Sequence, residues 1–166
     1  MILYHGSNVI VDRPHIISSA RTLDFGPGFY TTTRKEQAVD FAGKVMLRTG
    51  TKTQYVSVYK INIDRVKPPI NILQFNTSDA AWLDFVLENR KGRYTGKTYD
   101  IVTGPVANDD VYTTLQLYEQ NILNKEQAIN ALKIKKLYMQ FVFFTEYALQ
   151  LLDFSGAFDP RERNGL

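Results

Sequence analysis

The sequence predicts an α+β fold. Two observations carry this: β-rich runs such as "QYVSVYKINI" (54–63), and capped amphipathic stretches interspersed with those runs without regular alternation. A third is size: 166 residues that are 44% hydrophobic can bury one substantial core. Residues 1–155 therefore read as one domain, and the charged end, 156–166, reads as a mobile tail.

Taken in order, "MILYHG" is a short strand that runs into a polar turn, and residues 8–24 form an irregular connection around Pro14. After "GPGFYTT", Thr33 and Glu36 have the spacing of a capping box. Ala38, Phe41, Ala42, Val45 and Met46 then recur at helical spacing, which predicts a helix over 34–48 with Phe41 facing inward, near Tyr30. Thr49-Gly50-Thr51 ends it. Residues 54–63 make a strand that stops before Pro68-Pro69. Asn76-Thr77-Ser78 is read as the cap of a second helix, "DAAWLDFVLENRK", with Ala81, Trp82, Phe85 and Val86 inward. "YDIVTG" (99–104) is a buried strand. Asn108 or Asp109 opens a helix to about 122, and Asn124 caps "KEQAINALKIKK". A strand follows over 138–145, then "EYALQLLDF".

Composition narrows the chemistry. The chain has no cysteine, which removes disulfides, thiolate nucleophiles and zinc–cysteine sites. That fits a cytoplasmic protein, as does the absence of a basic leader before the short apolar start. No metal site is expected. The densest apolar stretch, 137–152, is interrupted by Gln140, Glu146 and Gln150, so no membrane contact is expected. A net charge of +3 and a pI near 9.0 permit contact with nucleic acid without demanding it.

The residues suited to a ligand fall in three stretches. His5 sits at a strand end before Gly6, where an imidazole can bond a hydroxyl and a glycine lets backbone approach a ligand. Gly26 and Gly28 bracket a turn that feeds Phe29 and Tyr30, and Tyr30 and Phe41 are two rings that could converge on a flat ligand. "YMQFVFF" closes the set.

In this order, "YHGS", "FGPGFY" and "QFVFF" resemble the three-motif pattern of the ADP-ribosyltransferase superfamily, in its diphtheria-toxin and poly(ADP-ribose) polymerase branch. The chain resembles more closely a family of uncharacterised bacterial proteins, domain of unknown function 3990. In that family "LYHGS", "DFGxGFY", "YDIVxGPxAxD" and "QxxFxTExAL" recur over most of the length.

The resemblance implies split antiparallel sheets with flanking helices around a cleft that binds NAD as co-substrate. His5 would hold ribose hydroxyls, Gly6 backbone the carboxamide, and Ser7 the adenosine-side ribose or the turn. Gly26 and Gly28 would bring backbone to the dinucleotide, Tyr30 would stack on nicotinamide, and Phe41 would be the second aromatic. His5, Tyr30 and Gln140 would form the catalytic set. The implied activity is mono-ADP-ribosyl transfer to a protein or nucleic acid with release of nicotinamide, in a bacterial or phage toxin or defence effector with an antitoxin or operon partner. The alternatives are a non-catalytic module for NAD or ADP-ribose, or an NAD glycohydrolase.

Gln140 stands where the branch carries a glutamate. A carboxylate about 5 Å from a developing cation at an effective dielectric of about 20 is worth about 3 kcal/mol. Its loss costs roughly two powers of ten in rate. Glutamine keeps the hydrogen bond and loses the charge. Asp100, Asp109 and Asp110 are the next acids considered, with capping or turn roles as the simpler reading. Glu146 is too far along its strand, and is better suited to the start of the following helix.

Overall fold

A computed structural model describes residues 1–17, 23–62, 65, 67, 69–106, 109–133 and 138–162. The expected Asn108 cap, Pro68, the last four residues of the tail and the side chains of Asp109 and Asp110 lie outside the described residues.

The chain is α+β, with one open sheet of seven strands in the order β4-β5-β6-β2-β1-β3-β7. The strands are β1 (Ile2–Ser7), β2 (Phe29–Thr32), β3 (Tyr55–Ile61), β4 (Ile72–Gln74), β5 (Ile101–Pro105), β6 (Met139–Phe143) and β7 (Leu152–Phe158). The helices are α1 (Lys35–Thr49), α2 (Ala80–Arg90), α3 (Asp109–Glu119), α4 (Lys125–Lys133) and the short α5 (Glu146–Leu149). Pairing is antiparallel except for β4 with β5, which is parallel, so the sheet is mixed rather than purely antiparallel.

The sheet has a seam. β1 pairs with β3 along its whole length, but with β2 it shares only the pair Tyr4–Thr32. Where the resemblance implies split antiparallel sheets, the structure has one mixed sheet, in which β4-β5-β6-β2 and β1-β3-β7 are joined by a single ladder pair.

Paired residues share a face of a sheet. Tyr30, Val142, Val102 and Leu73 stand in one row, and Tyr4, Thr32, Gln140 and Gly104 in the next, all on the same face. Over β4-β5-β6-β2 this face is covered by a core of Trp82, Leu83, Val86, Val111, Leu115 and Leu132 from α2, α3 and α4. Over β1 and β3 it is covered by Ala38 and Ala42 of α1, packed on Val56 and Tyr4. Two separate helix groups thus flank the seam on that face. The opposite face packs Leu3, Phe29, Tyr59, Ile101 and Phe143 against α5 and the segment through Leu152. There Val11 is stapled down by Ser57 Oγ, which accepts its N–H at 2.9 Å, and by Tyr59 Oη, which donates to its carbonyl.

Several local expectations need correction. Helix α1 is capped at Arg34 without a side-chain bond, so the Thr33–Glu36 box does not form. The hydroxyl in use belongs to Thr32, which accepts from Arg34 N–H at 3.1 Å and donates to Gln37 Oε1 at 2.6 Å. Thr33 loses the role because β2 runs to Thr32, which turns that hydroxyl toward the first turn of the helix. Gly50, with φ of 67°, ends α1 as expected. The cap of α2 is Asp79, whose carboxylate accepts from Trp82 N–H at 3.0 Å, rather than the 76–78 stretch. Asn124 does cap α4, reciprocally with Gln127: each side chain accepts the other residue's N–H at 2.9 Å. The charged end begins inside a strand, because 156–158 belong to β7 on the sheet edge. Beyond it Arg161 grips Asp159 and donates to the Lys52 carbonyl at 2.9 Å. Strand β4, three residues long, gave no signal in the sequence.

Candidate functional site

The seam brings the first two motifs together. Ile61 N–H donates to Met1 C=O, and antiparallel pairing alternates, so the N–H and C=O groups of Leu3, His5 and Ser7 also point at β3. Those of Tyr4 and Gly6 point the other way, toward β2. Tyr4 meets Thr32 there. Gly6 faces the open seam, buried in the side of the sheet.

His5 lies on the opposite face from Tyr30 and Gln140, stacked on Phe29 with ring centroids 4.4 Å apart. Its Nδ1 is 2.7 Å from the Tyr30 carbonyl oxygen. A carbonyl only accepts, so Nδ1 carries the proton and Nε2 of the neutral ring is an acceptor. Burial holds the imidazole pKa below its ordinary value, and the bond to the Tyr30 carbonyl opposes that in part. The ring is therefore neutral near pH 7.

Tyr30 closes the glycine turn. Its hydroxyl donates to Gly26 C=O at 2.7 Å and accepts from Phe25 N–H at 3.1 Å. Burial raises its pKa well above the usual phenol value, so the hydroxyl stays protonated. Gly26 has φ of 93°, a conformation that side chains avoid, and Asn89 Oδ1 sits 2.8 Å from where a Cβ would be. Gly28 is equally tight against Phe143 O and Val142. The turn is fixed to α2 by Asp24, whose carboxylate takes Arg90 at 2.6–2.7 Å, with Arg90 stacked on Tyr112. Phe25 is sunk among Phe75 and Phe85. Sequence reasoning missed this Asp24–Arg90 anchor; the partners stand 66 positions apart in the chain and leave no local signal.

Gly6 has a structural duty as well. A Cβ there would lie 2.7 Å from Ala42 N and inside contact with the Ala38 carbonyl, so the glycine lets α1 rest on β1. Ser7 supports the turn that follows, its hydroxyl facing Val9 N–H at 3.5 Å and Asn8. Phe41 corrects an expectation: it is 43% exposed on α1 and does not pack inward. The inward stripe is Ala38, Ala42 and Val45, and the close approach to Gly6 leaves room only for the alanines.

Gln140 lies on β6 beside Thr32, one strand from the seam, and is 5% exposed. Its Nε2 faces the Pro105 carbonyl at 3.4 Å, an oxygen that also accepts from Trp82 Nε1 at 3.1 Å. The amide polarity follows: Nε2 toward Pro105, Oε1 away from it. Two of the acids considered have other work. Asp100 accepts from Asn71 N–H at 2.9 Å and from Thr145 Oγ at 2.8 Å. Glu146 accepts from Ile16 N–H at 2.8 Å, while Thr145 caps α5. Among the described residues no cluster of His, Asp and Glu gathers that could hold a metal ion, and no helix is long and apolar enough to cross a membrane.

An α+β chain on one open mixed sheet, with a seam between β2 and β1 lined by a glycine edge, a neutral histidine and a pinned tyrosine, defines the class. The chain belongs to the family described as protein of unknown function (DUF3990), whose model matches residues 1–154. A comparison with curated proteins finds no match.

Proposed function

We propose that the chain is an NAD-dependent mono-ADP-ribosyltransferase that uses the seam as its NAD site. The observation that carries this reading is the outward edge of Gly6. A strand residue offers one N–H and one C=O side by side, the complement of a primary carboxamide such as that of nicotinamide. His5 Nε2 suits a ribose hydroxyl, and Tyr30 stands across the seam on β2, its hydroxyl tied to the glycine turn. In the reaction the bond between ribose C1′ and the pyridinium nitrogen breaks, and its electron pair neutralises the ring. An acceptor nucleophile then bonds C1′ and gives up its proton. The acceptor is a protein or a nucleic acid, and the natural setting is the cytoplasm, with a partner protein to restrain the activity.

A second reading, a non-catalytic module for NAD or ADP-ribose, draws on a specific observation. Gln140 supplies no charge and its amide is turned to Pro105, while Asp100 and Glu146 are engaged elsewhere. Transfer to water, a glycohydrolase reaction, is the same chemistry with another acceptor.

Titration calorimetry with NAD and an assay of nicotinamide release test both. The wild type is expected to bind NAD, with Tyr30→Ala losing about 1 kcal/mol or more. It should release nicotinamide, about tenfold more slowly in Gln140→Ala and faster in Gln140→Glu. Labelled NAD with cell lysate, followed by protease or nuclease, reads the acceptor. Binding without release selects the module. No binding at all overturns both readings.

A further inference from the structure

We propose that His5 is a positioning residue that keeps the seam open, because its imidazole occupies the carbonyl with which Gly6 would otherwise pair. The argument is one of register. Tyr4 stands opposite Thr32, so two residues further along β1 and two back along β2 the next hydrogen-bonding pair of the same ladder is Gly6 with Tyr30. The alternation set by Met1–Ile61 turns Gly6 N–H and C=O toward β2, as that pair requires. The pair does not form. At the Tyr30 carbonyl stands His5 Nδ1, at 2.7 Å.

The imidazole reaches that oxygen from the residue next to Gly6, and two contacts hold it there. Its ring lies on Phe29, and its own main chain is committed to Ser57 on β3. A side chain thus satisfies one partner of the ladder pair and leaves the other, Gly6, facing the seam. A buried carbonyl deprived of the imidazole would seek another donor, and the nearest in register is Gly6 N–H. Zipping that pair would carry the ladder past Tyr4 and shut the edge on which a carboxamide would sit. The bearing on NAD rests on the reading above; the claim about strand pairing does not.

Amide hydrogen exchange by NMR, without NAD, tests the pairing. In the wild type Gly6 N–H should exchange at least about tenfold faster than Tyr4 N–H after correction for intrinsic rates. In His5→Val, a strand former with no donor, Gly6 N–H should slow at least about tenfold. In His5→Asn it should keep the wild-type rate, because Asn Nδ2 stands the same number of bonds from the backbone as His Nδ1. If His5→Val does not fold, as shown by loss of protection at Leu3 and Tyr4, His5→Ala carries the same expectation without the branched bulk. Slow exchange at Gly6 in the wild type, or an unchanged rate in the folded Val or Ala variant, overturns the proposal. Calorimetry with NAD then separates the two claims. Should the wild type bind, the Val variant is expected to lose affinity at least tenfold. The Asn variant should lose less than the Val variant, since it keeps the seam open but lacks the Nε2 acceptor for ribose. Equal losses in the two would leave no share of the affinity to the open seam. Should the wild type not bind, the NAD reading fails and the exchange data still decide the role of His5.

Discussion

His5 and Tyr30 are the residues in which ordinary side chains take over backbone duties. For His5 the consequence is a pH dependence with a definite sign. Its pKa is depressed in the folded protein by burial, so below the unfolded value of about 6.5 the unfolded chain binds the extra proton first. Stability should therefore fall as pH drops from about 6.5 toward the folded pKa, and level off below it. Denaturant melts of wild type and His5→Asn across that window check this: the His5 share of the slope should vanish in the variant. For Tyr30 the hydroxyl is the test. Tyr30→Phe keeps the ring but strips Phe25 N–H and Gly26 C=O of their shared partner. The cost should be about 1–3 kcal/mol, or some 2–12 °C in Tm for a domain of this size.

At the scale of elements, the approach of α1 to β1 is the tightest constraint on the seam. Gly6→Ala drives a methyl into the Ala38 and Ala42 backbone, where no flexible side chain can give way. Overpacking there should cost about 3 kcal/mol, at the upper end of the usual range, measurable by urea melts. The caps give a sharper contrast. Asn124→Ala should lose about 0.5–2 kcal/mol, since it breaks a reciprocal pair at the start of α4. At the start of α1, Thr33→Ala should be close to neutral, whereas Thr32→Ala should cost about 1–2 kcal/mol, because only Thr32 bonds Arg34 and Gln37. Thermal melts of the pair decide between the cap read from sequence and the one in the structure. The S/T-x-x-E spacing was legible, and misleading, because the helix starts one residue later than it implies, with Arg34 and not Thr33 at the cap.

On the scale of the whole molecule, the architecture is two half-sheets that share one ladder pair, each with its own helices on the same face. The two cores on that face share no buried residue, whereas on the opposite face a single core spans the seam through Leu3, Tyr59, Phe29 and Phe143. The third motif belongs to the larger half: Gln140 and Trp82 meet at Pro105, deep under α2. Trp82→Phe would leave that carbonyl with the longer Gln140 contact alone. It should destabilise by about 1–3 kcal/mol while leaving the Tyr4 and Leu3 amides protected, as exchange measurements would show.

Local signals in the chain suffice for the α+β class and for the approximate places of β1, β3, β5, β6 and the longer helices: apolar period, turn glycines and cap residues, which neighbours alone express. That His5, Gly6 and Tyr30 share a site was implied only by the family resemblance. Tertiary structure alone decided the rest. β4 and β7 exist because partners remote in sequence supply their hydrogen bonds. Phe41 turned outward because the helix is seated on β1 by Ala38 and Ala42, whose backbone lies against Gly6, with Val45 completing the buried stripe. Gln140 faces Pro105, and Asp24 faces Arg90, through contacts spanning 35 and 66 residues. No local pattern encodes such pairs, since a side chain's partner is fixed only when the sheet order is. The seam itself is of this kind: whether Gly6 meets Tyr30 depends on where two distant strands part.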